Sequence, residues 1–377
     1  MTRRSLFLAV PLAFLTTTLR AQMEHEHAGP PPARLGRVEF GTSCTPVSQR
    51  AFERGVALMH SFWYEESARA FRAAASADTT CAMASWGLAM TYLHPLWAPP
   101  TPAELQAGAA AVEHARALHP PTQIETDYVE AIGAFYRDHA TVRHRDRLVA
   151  YSQAMRRMHQ TYDQDAEAAM LYALSLLGVA QNSPPDTTYA RQREAGAILE
   201  PIFQRQPNHP GVAHYLIHTY DTPALAREGT RAANRYAGIA PSVPHARHMP
   251  SHIYIRLGMW DQAIASNISS ASAARQYETQ QRWDGAWDQR LHAMDYMAYG
   301  YLQQGRDAQA RRLVDEAAGF PRTYPPGSLT SDYALAAIPA RYAVERGQWA
   351  EAAALPVRAG APPAAAAVTH FTKAIGA

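Results

Sequence analysis

From Val47 onward the chain runs in segments where small and apolar residues recur every three or four positions. Arg, Glu and Gln fill the places between, and Gly or Pro stand at the breaks. No period-two alternation is sustained, so the pattern predicts helices and no sheet, an all-α chain. The expected helices cover 47–61, 64–76, 81–93, 141–161, 165–180, 187–205, 210–219, 223–237, 250–257 and 260–277, then 285–304, 307–318, 330–346 and 349–355. Two further starts carry a capping box. In Thr101-Pro102-Ala103-Glu104 and Thr122-Gln123-Ile124-Glu125 the threonine oxygen and the glutamate each accept an unpaired backbone N–H, which places helix starts near Pro102 and Gln123.

Four of the helix pairs share a layout: small residues in a first helix, a tight turn, an aromatic residue opening the second helix, then alanines at set spacings. The turn falls at Phe62 in FERGVALMHSFWYEESARAFRAAASAD, at Gly258 in HIYIRLGMWDQAIASNISSA, at Gly305 in YMAYGYLQQGRDAQARRLVDEAA and at Gly347 in RYAVERGQWAEAAAL. This layout resembles the tetratricopeptide repeat, a helix pair of about 34 residues that stacks into an α-α superhelix. The resemblance covers 50–93 and 245–355. Ala263, Ala310 and Ala352 are 47 and 42 residues apart, so the array is expected to carry insertions.

Ahead of the helices, Arg3 and Arg4 precede an apolar run from Leu6 to Leu15 and a small residue at Ala21, the layout of a secretory signal at 1–21. The run is too short for a membrane span. A proline-rich lead-in at 22–46 is expected to be flexible, and 47–377 to form the repeat array. Loss of the signal would remove three arginines and take the formal charge from +2 to −1, which offers no electrostatic reason to bind nucleic acid or an anionic membrane. The expected location is secreted or periplasmic. There the chain's two cysteines, Cys44 and Cys81, are candidates for a disulfide, with two buried thiols as the alternative.

The chemistry concentrates between Asn208 and Asp261. Six of the 17 histidines lie there: His209, His214, His218, His245, His248 and His252. His214/His218 and His248/His252 stand at i, i+4, which stacks both rings on one helix face, although Pro250 would break a helix between the second pair. The repeat resemblance implies a concave face carrying His245, His248 and His252 from one unit and His292, Asp295 and Tyr299 from the next. It also puts His60 and His218 on that face and His214 one step off it. Imidazoles with a carboxylate suit a transition metal such as zinc or copper. The expected ligands are His218, His248, His252, His292 and Asp295, with His60, His214, His245, Tyr254 and Tyr299 lining the groove or supporting the ligands. There is no HExxH, Gly-rich phosphate loop or GxSxG elbow.

Two functions fit these features. One is an exported binding scaffold that holds a peptide or protein in a metal-bearing concave groove. The other is a metal-dependent enzyme, a hydrolase or oxidoreductase, working at the histidines. Asp284 and Asp288, one helical turn apart, are a weaker pair of carboxylates, equally explained as a helix entry.

Overall fold

The computed structural model describes residues 33–96 and 99–377, and the expected signal segment lies outside them. The described chain is mostly helical. In order come α1 (Pro46–His60), α2 (Tyr64–Ala77), α3 (Ala82–Thr91), α4 (Pro102–Ala117), α5 (Gln123–Tyr136), α6 (His144–Thr161), α7 (Ala166–Gln181), α8 (Ala190–Arg205) and α9 (Pro210–Tyr220). Then follow α10 (Thr230–Ile239), α11 (Pro244–His248), α12 (Pro250–Arg256), α13 (Trp260–Gln281), α14 (Asp288–Gln303), α15 (Asp307–Ala318), α16 (Leu329–Glu345), α17 (Trp349–Ala354) and α18 (Pro363–Gly376). One parallel bridge joins two-residue strands, β1 (Ala286–Trp287) and β2 (Thr323–Tyr324).

The local rules account for most of these ends. Thr101 and Glu104 form the full capping box of α4, and Thr122 accepts the Glu125 N–H at the start of α5. Asp165 caps α7 by accepting from Glu167 and Ala168. The sequence pattern misses α11 and α18, and it starts α10 seven residues early, because 223–229 folds as turns.

Four helix-to-helix turns are built alike. Phe62, Gly258, Gly305 and Gly347 all take positive φ, between 55° and 70°. Each following N–H reaches back five residues: Trp63 to Leu58, Met259 to Tyr254, Arg306 to Tyr301 and Gln348 to Ala343. This double-bonded C-terminal turn satisfies the helix's last carbonyls and suits glycine. Phe62 alone bears a bulky side chain there, at a cost of about 1–2 kcal/mol.

The start of the helical region is tied to its middle. Leu35, Val38 and Phe40 are buried, and Phe40 packs against Phe52, Trp86 and Tyr128. The Arg37 N–H donates to the Asn208 carbonyl and the Ser242 N–H to the Arg34 carbonyl. This part of the lead-in is therefore packed against the array, contrary to the flexible segment expected for 22–46. A Cys44–Cys81 disulfide holds it to the start of α3. On the other side Trp63 meets Tyr277 and Trp287, and Tyr277 donates to Glu66.

Two apolar clusters make the core, one running from Leu35 to Ala263 and one from Ile264 to Ile338. The histidines lie along their seam. Among the described residues no helix is long and apolar enough to cross a membrane.

Candidate metal centre

α9, α11, α12 and α14 each bring one face of imidazoles to this seam. Pro244 and Pro250 sit at the first turns of α11 and α12, where a missing N–H costs nothing. Met249 between them keeps helical dihedrals, so the chain breaks into two short helices without turning away. His248 and His252 therefore face each other across the break that the sequence anticipates at Pro250.

Six histidines form two triads, each with its ligand atoms within 4.8 Å of one another: His214, His218 and His245, and His248, His252 and His292. In the first, His214 Nε2 lies 3.1 Å from both His218 Nε2 and His245 Nε2. In the second, His248 Nε2 and His252 Nε2 are 2.9 Å apart, and the His248 and His292 rings are 4.4 Å apart between centroids. With metal–nitrogen bonds of about 2.0–2.1 Å, separations of 2.9–3.1 Å subtend roughly 90–100° at a common ion.

Each key imidazole has its tautomer set from behind. His214 Nδ1–H donates to the His60 carbonyl at 2.6 Å. His248 Nδ1–H donates to Asn267 Oδ1 at 2.6 Å, and Asn267 is oriented by giving its own N–H to the Ala263 carbonyl. His252 Nδ1–H donates to Asp221 Oδ2 at 2.8 Å. A ring nitrogen bearing the proton on one side leaves a lone pair on the other. With both rings neutral, His248 and His252 point lone pair at lone pair across 2.9 Å, a contact that a metal ion or a proton between them relieves. Burial opposes a proton on His248. It drives His214 and His292 down to about 3 and His218, His245 and His248 well below their ordinary value, with neighbouring imidazoles adding to the effect. A metal ion, which binds neutral imidazole, meets no such penalty.

A third group, His60, Glu167 and His209, is differently made. His60 Nε2 and His209 Nε2 each donate to one Glu167 oxygen, at 2.8 and 2.9 Å. Tyr215 donates to His60 Nδ1, and the Gly211 N–H to His209 Nδ1. Burial pushes Glu167 up, but the two imidazoles outweigh it and hold the carboxylate ionised. Every ring nitrogen here has a protein partner, so the group is a closed hydrogen-bond network. His60 separately offers its backbone carbonyl to His214.

The sequence-predicted residues divide accordingly. His218, His248, His252 and His292 fall in the triads as expected, and His214 and His245, expected only to line the groove, are full members. Asp295 is not with them: Arg341 on α16 takes its carboxylate, with Nε 2.8 Å from Oδ1. His60 sits behind the triads in the closed network. Tyr254 gives its hydroxyl to Asn234, and Tyr299 packs against Trp260 and the Arg341 guanidinium. Asp284 is committed to Tyr324 and Arg322, away from Asp288.

The sequence pattern does not single out Asp221, three residues after His218, or Asn267. Both act through partners more than 15 residues away, and neither sits at a spacing that points to the site.

A cavity of about 980 Å³ opens onto both triads. His218 and His245 of the first triad and His252 and His292 of the second line it, with Asp221 beside them. Its other walls carry Trp63, Tyr64, Trp287, Arg69, Glu65 and Asp288. Asp288 accepts from Ser328 Oγ at 2.9 Å, and burial, with Glu65 adding, pushes its carboxyl up to about 7. No protein-family model matches the chain, and no curated protein sequence matches it.

Proposed function

We propose that this protein is an exported, metal-dependent enzyme on a tetratricopeptide-like helical array, with one transition-metal ion held by His248, His252 and His292. The observation that carries the reading is the pair of facing acceptor nitrogens, His248 Nε2 and His252 Nε2, 2.9 Å apart with their protons turned outward to Asn267 and Asp221. Three imidazoles would leave an ion held there with a position free for water or substrate, as in catalytic rather than structural sites. There the ion would act as a Lewis acid on water or on a substrate oxygen.

The cavity favours an enzyme over a peptide scaffold. Its volume of about 980 Å³ lies at the upper end of the range of small-molecule sites, roughly 300–1,000 Å³, and it is bounded by aromatic rings and a few charged groups. Tyr296 lies against the rings of His248, His252 and His292, at 4.7–5.2 Å, with its hydroxyl 3.5 Å from His252 Nε2. Asp288, able to hold a proton near neutrality, supplies an acid–base group in the same cavity. An imidazole-only donor set suits copper, zinc or iron and disfavours calcium or magnesium.

Elemental analysis of protein purified without an affinity tag tests the proposal. The expected result is a stoichiometric transition metal that is lost in His248→Ala and His252→Ala. A folded protein that carries no such metal and takes up none from copper or zinc solutions refutes it. The export signal is tested by the mature N-terminus and by the fraction in which the protein is found.

A further inference from the structure

We infer that the first triad, His214, His218 and His245, holds a second ion facing the first, so that the six imidazoles form one dinuclear centre. This rests on the single-ion reading above and goes beyond it. Within the first triad the His218 and His245 rings are 6.5 Å apart. Across the triads the gaps are no larger: His218 to His252 is 6.1 Å and His245 to His248 is 5.9 Å. The two sets of donors are thus not separated by packing, and His218, His245, His252 and His292 open onto one cavity.

Each triad also has an imidazole held from behind. His214 has its Nδ1 proton fixed on the His60 carbonyl, so its Nε2 lone pair faces the Nε2 atoms of His218 and His245 at 3.1 Å. The holders differ in kind: the backbone carbonyl of His60 holds His214, and the Asp221 carboxylate holds His252. Aromatic rings cover both triads: Tyr296 the second, and Phe62 the first, 4.4 Å from His214, 5.5 Å from His218 and 5.8 Å from His245, with Tyr236 stacked on His214 at 5.0 Å. Phe62 is the residue that keeps a left-handed backbone where the three equivalent turns use glycine. A strained residue kept beside a ligand cluster points to a role for its side chain.

Two divalent ions would bring four positive charges to a site where Asp221 is the carboxylate bonded to a triad imidazole, so an anionic ligand would suit the pair. Two-metal sites run about 3.5–4 Å between ions, a span that one hydroxide or a small diatomic closes. Loaded with two ions, the centre would supply Lewis acidity that activates a water molecule for attack on a hydrolysable substrate.

The test uses the full-length chain and Cu(II) as probe, because copper binds nitrogen sites more tightly than the other divalent first-row ions. Copper per folded chain is counted by elemental analysis, and unpaired spins by electron paramagnetic resonance. Two coppers per chain with a spin count well below two, or a half-field line, are expected from ions this close. His218→Ala should drop the count to one copper and restore a full one-spin signal, with circular dichroism confirming the fold. One copper per folded wild-type chain, or two copper ions with a full two-spin signal and no half-field line, overturns the inference but leaves the single-ion reading. No copper overturns both. The wild-type counts decide the matter even if the variant fails to fold.

Discussion

Replacing Asp221 with asparagine gives the sharpest test of how the site is held. Asp221 Oδ2 accepts the His252 Nδ1 proton at 2.8 Å, and Oδ1 accepts from Arg256 Nε at 2.9 Å. Burial pushes this carboxyl up, but His252 and Arg256 outweigh it and keep it ionised below the usual carboxylate range. The ionised oxygen fixes the proton on Nδ1 and makes Nε2 a stronger donor to a metal. Asparagine removes the charge, and if it turns its amide N–H toward the ring the proton moves to Nε2 and the ligand is lost. Changes of this kind cost about 10- to 100-fold in metal affinity, or about 1.4–2.7 kcal/mol. Competition against a chelator of known affinity measures the difference, with circular dichroism to show an intact fold. Arg256→Ala is the control: it breaks only the partly exposed half of the arrangement, worth about 1 kcal/mol or less, so affinity should fall less than about fivefold. Equal affinity in Asp221→Asn and wild type, or equal losses in the two variants, would refute the reasoning.

Three further outcomes follow from the packing. Gly211→Ala places a methyl group 2.5 Å from His60 Nδ1 and should disturb the ring whose backbone carbonyl orients His214; the expected loss is about 1–3 kcal/mol in denaturant titration, with weaker metal uptake by the first triad. Asp288→Asn bears on pH. The folded-state value of about 7 lies above the ordinary carboxyl value of 3.8, so the native state binds the proton more tightly, and stability fully present at acid pH is lost as pH rises toward 7. The groups facing Asp288 are Glu65, Ser328 and Gln289. The variant should therefore gain stability over wild type from pH 4 to 7, by on the order of 2–4 kcal/mol, and level off above that; a pH-independent difference in thermal midpoint would contradict the assignment. Reduction of Cys44–Cys81, or the double serine variant, opens a loop of 37 residues and should cost about 4 kcal/mol in the chain-entropy account, read as a lower denaturant midpoint.

The helical class, most helix boundaries and the four turns at Phe62, Gly258, Gly305 and Gly347 were legible in the chain, because capping, turn glycines and the three-to-four spacing act within a few residues of one another. The density of histidines from His209 to His252, and the break at Pro250, belong to the same local register. Asp295 is the instructive failure: its spacing from His292 suited a shared ligand face, but Arg341, 46 residues on, pairs with its carboxylate.

What only the tertiary structure decided is which imidazoles share a space, and which way each carries its proton. The lone pairs of His248, His252 and His214 are set by Asn267, Asp221 and the His60 carbonyl, and the last of these comes from a helix 154 residues away. Spacing along a chain specifies the face of one helix. The direction of a ring nitrogen depends on the partner behind it, and that partner arrives only when α1, α9 and the helices from α11 to α14 pack into one seam.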